Sequence, residues 1–173
     1  GEINTSRIRK VSVAGIITTI AGNGARGTSP DGTPALGQSI DTPRGLALDA
    51  AGNVFVTLMG EHRIRRITPA GLIYTVAGIG TATNGGTGVP SATAGTNFPA
   101  NIVVDADGSV IFTEEGGNKT RRVSFPTPTA PGAPVVIAVT VSFDRLELAF
   151  AAPNDGYSAI LDFTVACGAV SAV

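Results

Sequence analysis

From Ser6 onward the chain repeats itself every 56 residues, and no gap is needed to align the copies. Arg7-Ile8-Arg9-Lys10-Val11 returns as Arg63-Ile64-Arg65-Arg66-Ile67 and again as Lys119-Thr120-Arg121-Arg122-Val123. Between these anchors Gly15, Ala21, Gly22, Gly24, Pro43, Asp49 and Gly52 return as Gly71, Ala77, Gly78, Gly80, Pro99, Asp105 and Gly108. A fixed period of this length belongs to architectures in which one unit cannot bury its own apolar face and needs neighbours.

Within one repeat, four apolar runs of strand length are joined by short Gly- or Pro-bearing turns. They are residues 45–49, 54–58, 63–67 and 72–77, the pattern of an antiparallel meander. With 23 Gly, 11 Pro and runs of Val, Ile and Thr, the composition is that of many short strands, and no run of helical period competes. Apolar residues at 43% against 14% charged exclude disorder by low hydrophobicity. A much longer connection follows the fourth run, over residues 22–42 and again over 78–98. Within the first, Pro34-Ala35-Leu36-Gly37-Gln38 is expected to form a helical turn capped by Thr33. Long connections of this kind often carry function, so these two are the expected contact surface, for a ligand of unknown identity. Replacing 22–42 by a short turn is expected to leave the strand content nearly unchanged.

The stretches RIRKVSVAGIITTIAGNG, PDGTPA, TPRGLALDAAGNVFVT and HRIRRITPAGLIYTVAG resemble the NHL family of β-propeller repeats, in its long-loop bacterial form. The resemblance covers residues 6–124 and implies four-stranded blades arranged radially around a channel. Two departures stand out. The acid that usually follows the second strand is absent at Leu58-Met59-Gly60, and Thr87-Gly88 replaces the Asp31-Gly32 of the first loop. Against this template the chain supplies strands three and four of one blade, all four of the next and the first three of a last. A closed propeller takes about four to eight blades, so this chain is not expected to close alone.

The period stops after Phe125, and a Pro-rich stretch over 125–134 reads as an interdomain linker. Residues 135–173 resemble the first half of a fibronectin type III domain, on the alternation of Leu146–Ala151, the Asn154-Asp155-Gly156 turn and Ile160–Val165. The expected fold is thus all-β, an incomplete propeller over 1–124 followed by a truncated β-sandwich. Both ends read as cut, as in an interior piece of a longer modular protein.

Chemistry-bearing residues are sparse. Gly22-Asn23-Gly24-Ala25-Arg26-Gly27 matches GxGxxG after a strand, but Pro30 and Gly32 break the helix a dinucleotide would need, so it reads as a turn. Nine of the 12 basic residues fall in the three triplets, which a radial stack would set in a ring. Without Trp, and with neither Tyr in a triplet, the stacking platforms of a nucleic-acid surface are missing. The triplets read instead as stems covering blade edges and pairing with carboxylates of the next strand. His62 is the single histidine; Ser6 and Asn118 are its repeat equivalents, and all three suit a turn that caps a strand. Glu114 and Glu115 are neighbours on a strand end, so they face opposite ways and cannot share a substrate. Asp49, Asp105 and Asp107 suit turns, and Asp31 is the acid to watch for calcium. Asn4-Thr5-Ser6 and Asn118-Lys119-Thr120 match the glycosylation acceptor pattern by composition alone.

The formal charge of -1 gives no global attraction to nucleic acid or anionic lipid, and no apolar run has spanning length. The lone Cys167 excludes an internal disulfide. No catalytic residue, cofactor or metal is expected. The leading expectation is an exported, non-catalytic module for adhesion, scaffolding or binding of a protein or carbohydrate, with the rest of the propeller as its structural partner. The alternatives are part of a propeller lyase or hydrolase whose catalytic residues lie in other blades, and RNA binding through the triplets.

Overall fold

The structure is a computed structural model that describes residues 5–125 in full and the backbone of 135–142 and 145–151. The chain divides into two compact units, residues 1–125 and 126–173. The described residues are all-β. The first unit begins with the antiparallel pair β1 (Ile8–Val11) and β2 (Ile17–Ala21). After the first long loop, which contributes the two-residue strand β3 (Thr33–Pro34), comes a full meander. Its strands are β4 (Pro43–Leu48), β5 (Val54–Leu58), β6 (Arg63–Ile67) and β7 (Leu72–Ala77), hydrogen-bonded in the order β3-β7-β6-β5-β4. Past the second long loop, β8 (Pro99–Val104), β9 (Val110–Glu114) and β10 (Lys119–Val123) form a three-stranded sheet. These are blades of a partial β-propeller, with the strand complement that the repeat alignment implies.

Alternation explains why the blades stack. Along β5, Val56 and Leu58 join Ile67 and Ile73 on one face, while Phe55 joins Ile64 and Val76 on the other. The first face meets Ile8 and Ala21 of the first blade; the second meets Ile102, Val110 and Phe112 of the last. The central blade is therefore a slab with an apolar core on each side. The first strands of neighbouring blades, β4 and β8, run close enough that a side chain at Gly45 would collide with the Ala100 carbonyl oxygen. Thr57, fully buried, ties them together: its hydroxyl donates to the Ala100 carbonyl at 2.6 Å and accepts the Gly45 N–H at 2.8 Å.

The turns are equally periodic. Ser6, His62 and Asn118 all adopt left-handed backbone, with φ of 45°, 50° and 46°, at the turn entering the third strand of each blade. Gly78 carries φ 97° and its missing Cβ would collide with the carbonyl oxygen of His62, whereas Gly71, at φ 80°, has open space around it. Gly71→Ala should thus cost only the left-handed strain, about 1 kcal/mol, and Gly78→Ala about 2–3 kcal/mol. Urea unfolding of the two variants compares them directly; equal losses would mean that the contact with His62 relaxes freely.

The expected helical turn at Pro34–Gln38 does not form. Thr33 and Pro34 instead pair with Ile73 and Leu72 as a fifth strand, and Leu36 bridges to Gly22. The free outer edge of β7 offers ladder groups to a segment whose own helical turn would be isolated and weak. The turn appears one period later, where Ala94 N–H bonds the Pro90 carbonyl at 3.1 Å.

In the second unit, β11 (Val135–Ser142) and β12 (Arg145–Ala151) form an antiparallel hairpin. The Pro-rich stretch 126–134, the Asn154-Asp155-Gly156 turn, the expected strand Ile160–Val165 and Asn4 lie outside the described residues.

Candidate functional site

The three positions of the central triplet, Arg63, Arg65 and Arg66, have three different fates, and the other triplets share them in part. The first arginine closes a Gly-X-Gly turn. Arg7 donates to the Asn23 carbonyl at 2.7 Å and Arg63 to the Ile79 carbonyl at 3.2 Å. Gly24 and Gly80 leave room for these guanidinium groups, which a side chain there would strike. The Gly-rich segment that matches a dinucleotide fingerprint is thus the seat of an arginine, followed by irregular chain and β3 instead of a helix.

In the central blade the second arginine goes inside, whereas Arg9, its equivalent in the first blade, is exposed. Arg65, 1% exposed, is the largest fully buried side chain among the described residues. Its guanidinium donates to Glu61 at 3.2 Å, to the Ser29 carbonyl at 2.8 Å and to Asp31 at 3.0 Å. Ser29 and Asp31 belong to the first long loop, so Arg65 clamps that loop across the blade. Asp31 is held further by the backbone N–H and hydroxyl of Thr75, at 3.0 and 2.9 Å. One period on, Arg121 does the same for the second loop, donating to the Gly95 carbonyl at 2.6 Å and to the Gly86 carbonyl. Burial pushes the Glu61 carboxyl above its ordinary value against the pull of Arg65, and the same desolvation pushes the Arg65 guanidinium down.

The carboxylate behind each clamp comes from a different sequence position. In the central blade Glu61 accepts the Asp41 N–H at 3.3 Å as well as Arg65. In the last blade Glu114 accepts the Asn97 N–H at 3.2 Å and Arg121 at 3.4 Å. Asp41 and Asn97 are repeat equivalents, but Glu61 and Glu114 are not: Glu114 aligns with Leu58, and Glu61 with Gly117. The acid missing at Leu58-Met59-Gly60 is replaced by Glu61, reaching the same place from the turn.

The third position stays outside but is engaged. Arg66 stacks over the Tyr74 ring at 5.6 Å, and Arg122 pairs with Asp105 at 3.3 Å and with Asp107. The carboxylates that meet Arg65, Arg121 and Arg122 thus come from loops, turns and the preceding strand, not from the next strand as expected. The Arg66 side chain meets the next strand only through the Tyr74 ring. The partners of the triplet arginines come from the Gly-X-Gly turns, the long loops and neighbouring hairpins.

His62 Nδ1 accepts the Phe98 N–H at 3.3 Å, and its ring meets Phe98 edge-on at 4.6 Å. Glu114 is buried while Glu115 is exposed and pairs with Arg44, so the two do face opposite ways. Asp49, Asp105 and Asp107 accept the N–H groups of Asn53, Ala106 and Ser109 at 2.8, 2.8 and 2.9 Å, as turn acids do. Asp31, the acid singled out for calcium, is already committed to Arg65 and Thr75, and no three His, Cys, Asp or Glu groups among the described residues are placed to hold a metal. No helix among the described residues is long and apolar enough to cross a membrane.

Each long loop is thus fastened to its blade by an arginine, and clefts lie beside both loops. One, of about 380 Å³, lies over the first clamp and is lined by Thr28, Ser29, Pro30, Asp31, Arg63, Arg65 and Thr75. The other, of about 360 Å³, lies between the second loop and β10.

No protein-family model matches the chain, and no curated protein matches it. Solved structures do. A structural-genomics protein of unknown function from Bacteroides thetaiotaomicron superposes with a TM-score of 0.61 at 23% identity, over 70% of this chain and 30% of its own. An auxiliary nutrient binding protein from the same organism gives 0.55 at 20% identity, over 70% and 33%. Another from Bacteroides ovatus gives 0.55 at 18%, also over 70% and 33%. The chain spans about a third of the length of these structures, and the likeness is one of fold.

Proposed function

We propose that this chain is a non-catalytic binding module, built from NHL-type propeller blades followed by a fibronectin type III-type domain, and that it works outside the cell within a longer protein. The observation that carries the reading is the cleft over the first clamp, most of whose lining residues bear hydroxyl, carboxylate or guanidinium groups. Its floor is the buried Arg65, and its rim carries Thr28, Thr75 and the half-exposed Asp31 carboxylate, whose Oδ1 alone is taken up by Arg65 and Thr75. Donors and acceptors fixed on a rigid blade suit a hydroxyl-rich ligand, so a carbohydrate is the ligand class we assign to it. The fold shared with two auxiliary nutrient binding proteins supports the same reading. The enzyme alternative draws nothing from His62, whose ring is packed on Phe98 and accepts its N–H. The RNA alternative is opposed by the triplets themselves, six of whose arginines, Arg7, Arg63, Arg65, Arg66, Arg121 and Arg122, engage protein groups.

The test is a glycan array followed by calorimetry on the best binder. Asp31→Asn should weaken that binder about tenfold or more, because it removes a charged acceptor from the rim. An array with no saturable binder, or a binder indifferent to Asp31→Asn, would sink the proposal.

A further inference from the structure

We propose that the cleft beside β10 is a strand-binding groove. It takes one extended segment of a partner polypeptide, in the register that β7 holds in the central blade, with a branched apolar side chain seated against Val123 and Phe112.

The central blade shows what covers such a groove. Ala77, Thr96, Phe112 and Val123 line the cleft. Their repeat equivalents are Ala21, Ile40, Val56 and Ile67, and all four belong to one buried cluster with Ile73 of β7. Ile73 is 0% exposed there and pairs with Ile67. The cleft of about 360 Å³ is thus the place of the side chain that Ile73 supplies one period earlier.

The backbone is equally prepared. β6 pairs with β5 on one side and β7 on the other, whereas β10 among the described residues pairs with β9 alone. An unpaired edge offers a ready ladder to an incoming strand. Across the cleft stand Val89 and Pro90, the repeat equivalents of the β3 residues Thr33 and Pro34, which flank β7 from outside. A guest strand would therefore lie between β10 and this segment, as β7 lies between β6 and β3. Arg121 is held back by the Gly86 and Gly95 carbonyls and Glu114, so the floor is already set.

The sequence argues for a partner as occupant. One period after Leu72–Ala77 stand Pro128-Thr129-Ala130-Pro131-Gly132-Ala133. Thr replaces Ile73 and Gly replaces Val76, so the apolar anchors of β7 have no counterpart there, and two prolines remove backbone donors.

The experiment uses the full chain and a labelled synthetic peptide of residues 68–78, which contains the whole of β7. Fluorescence anisotropy should show saturable one-to-one binding. The same peptide with Ile73→Asp should bind about tenfold more weakly or worse, since it loses the buried anchor. Val123→Asp in the protein should act likewise; because that change can unfold the blade, the peptide substitution carries the test. Absence of saturable binding, or equal binding by the Ile73→Asp peptide, overturns the proposal. So does sedimentation showing that peptide binds only as a dimer of the chain dissociates, which would give the groove to a second copy.

Discussion

Arg65→Ala is expected to destabilise the propeller unit by about 3–5 kcal/mol, read as a lowered midpoint in denaturant unfolding. The substitution leaves the buried Glu61 without its counter-charge, frees the Ser29 carbonyl and Asp31, and opens a void where the largest buried side chain stood. Lysine should recover only part of the loss, because one ammonium cannot reproduce the fork that reaches three acceptors. Arg65→Met combined with Glu61→Leu removes the buried charge pair and fills the void. It should recover the part of the loss due to the unpaired Glu61, but not the part due to the Ser29 carbonyl, Asp31 and the Asp41 N–H. A loss below about 1 kcal/mol for Arg65→Ala would mean that the clamp is ornamental.

The same variant carries a pH signature. Burial raises the folded-state pKa of Glu61 above its ordinary value of 4.5. The stability it contributes is therefore fully present below that value and is lost as pH rises through the raised one. Removing Arg65 deletes the largest influence that opposes this rise, so Glu61 in the variant favours its proton still more. The gap between wild type and Arg65→Ala should accordingly be widest at neutral pH and narrow as pH falls toward 4.5. A gap independent of pH would show that the loss is one of packing and not of charge.

Much of this fold is legible in the sequence because the repeat does the aligning. The expected runs at 54–58, 63–67 and 72–77 coincide with β5, β6 and β7, and the strand complement of the two incomplete blades follows from the same template. The clamp was illegible for a definite reason. Alternation assigns residues to faces, but a blade packed on both faces has no solvent side, so period two cannot tell whether Arg65 points into water or core. The acid was hidden by its displacement from the Leu58 position to Glu61. A signal did exist: Leu58 and Glu61 of one repeat stand against Glu114 and Gly117 of the next, a paired exchange that suggests one carboxylate moved along a turn. The strand β3 left no trace, since Thr33-Pro34 has neither the length nor the pattern of a strand and pairs because an edge is there to receive it.

Replacing residues 22–42 by a short turn is expected to abolish cooperative unfolding of the propeller unit, the opposite of what loop length and composition suggest. A connection of this kind ordinarily runs over the surface and tolerates exchange. This one supplies Ala35 and Ile40, both 0% exposed, to the core between the first two blades. It also supplies β3, the Asp41 N–H that Glu61 accepts, and two of the three acceptors of Arg65. The deletion would leave Ile73 and the outer edge of β7 bare and Arg65 paired with Glu61 alone. Two lost core residues and a broken buried charge cluster together exceed about 5 kcal/mol, the lower end of what a domain has in total. Circular dichroism during heating should show a broad, weak transition in place of a sharp one, with aggregation seeded at the β7 edge. A sharp transition with wild-type strand signal would instead mean that the blades hold themselves together. Gly-rich composition would then be the right guide to a dispensable loop, and the arginine clamps a consequence of the fold, not a cause of it.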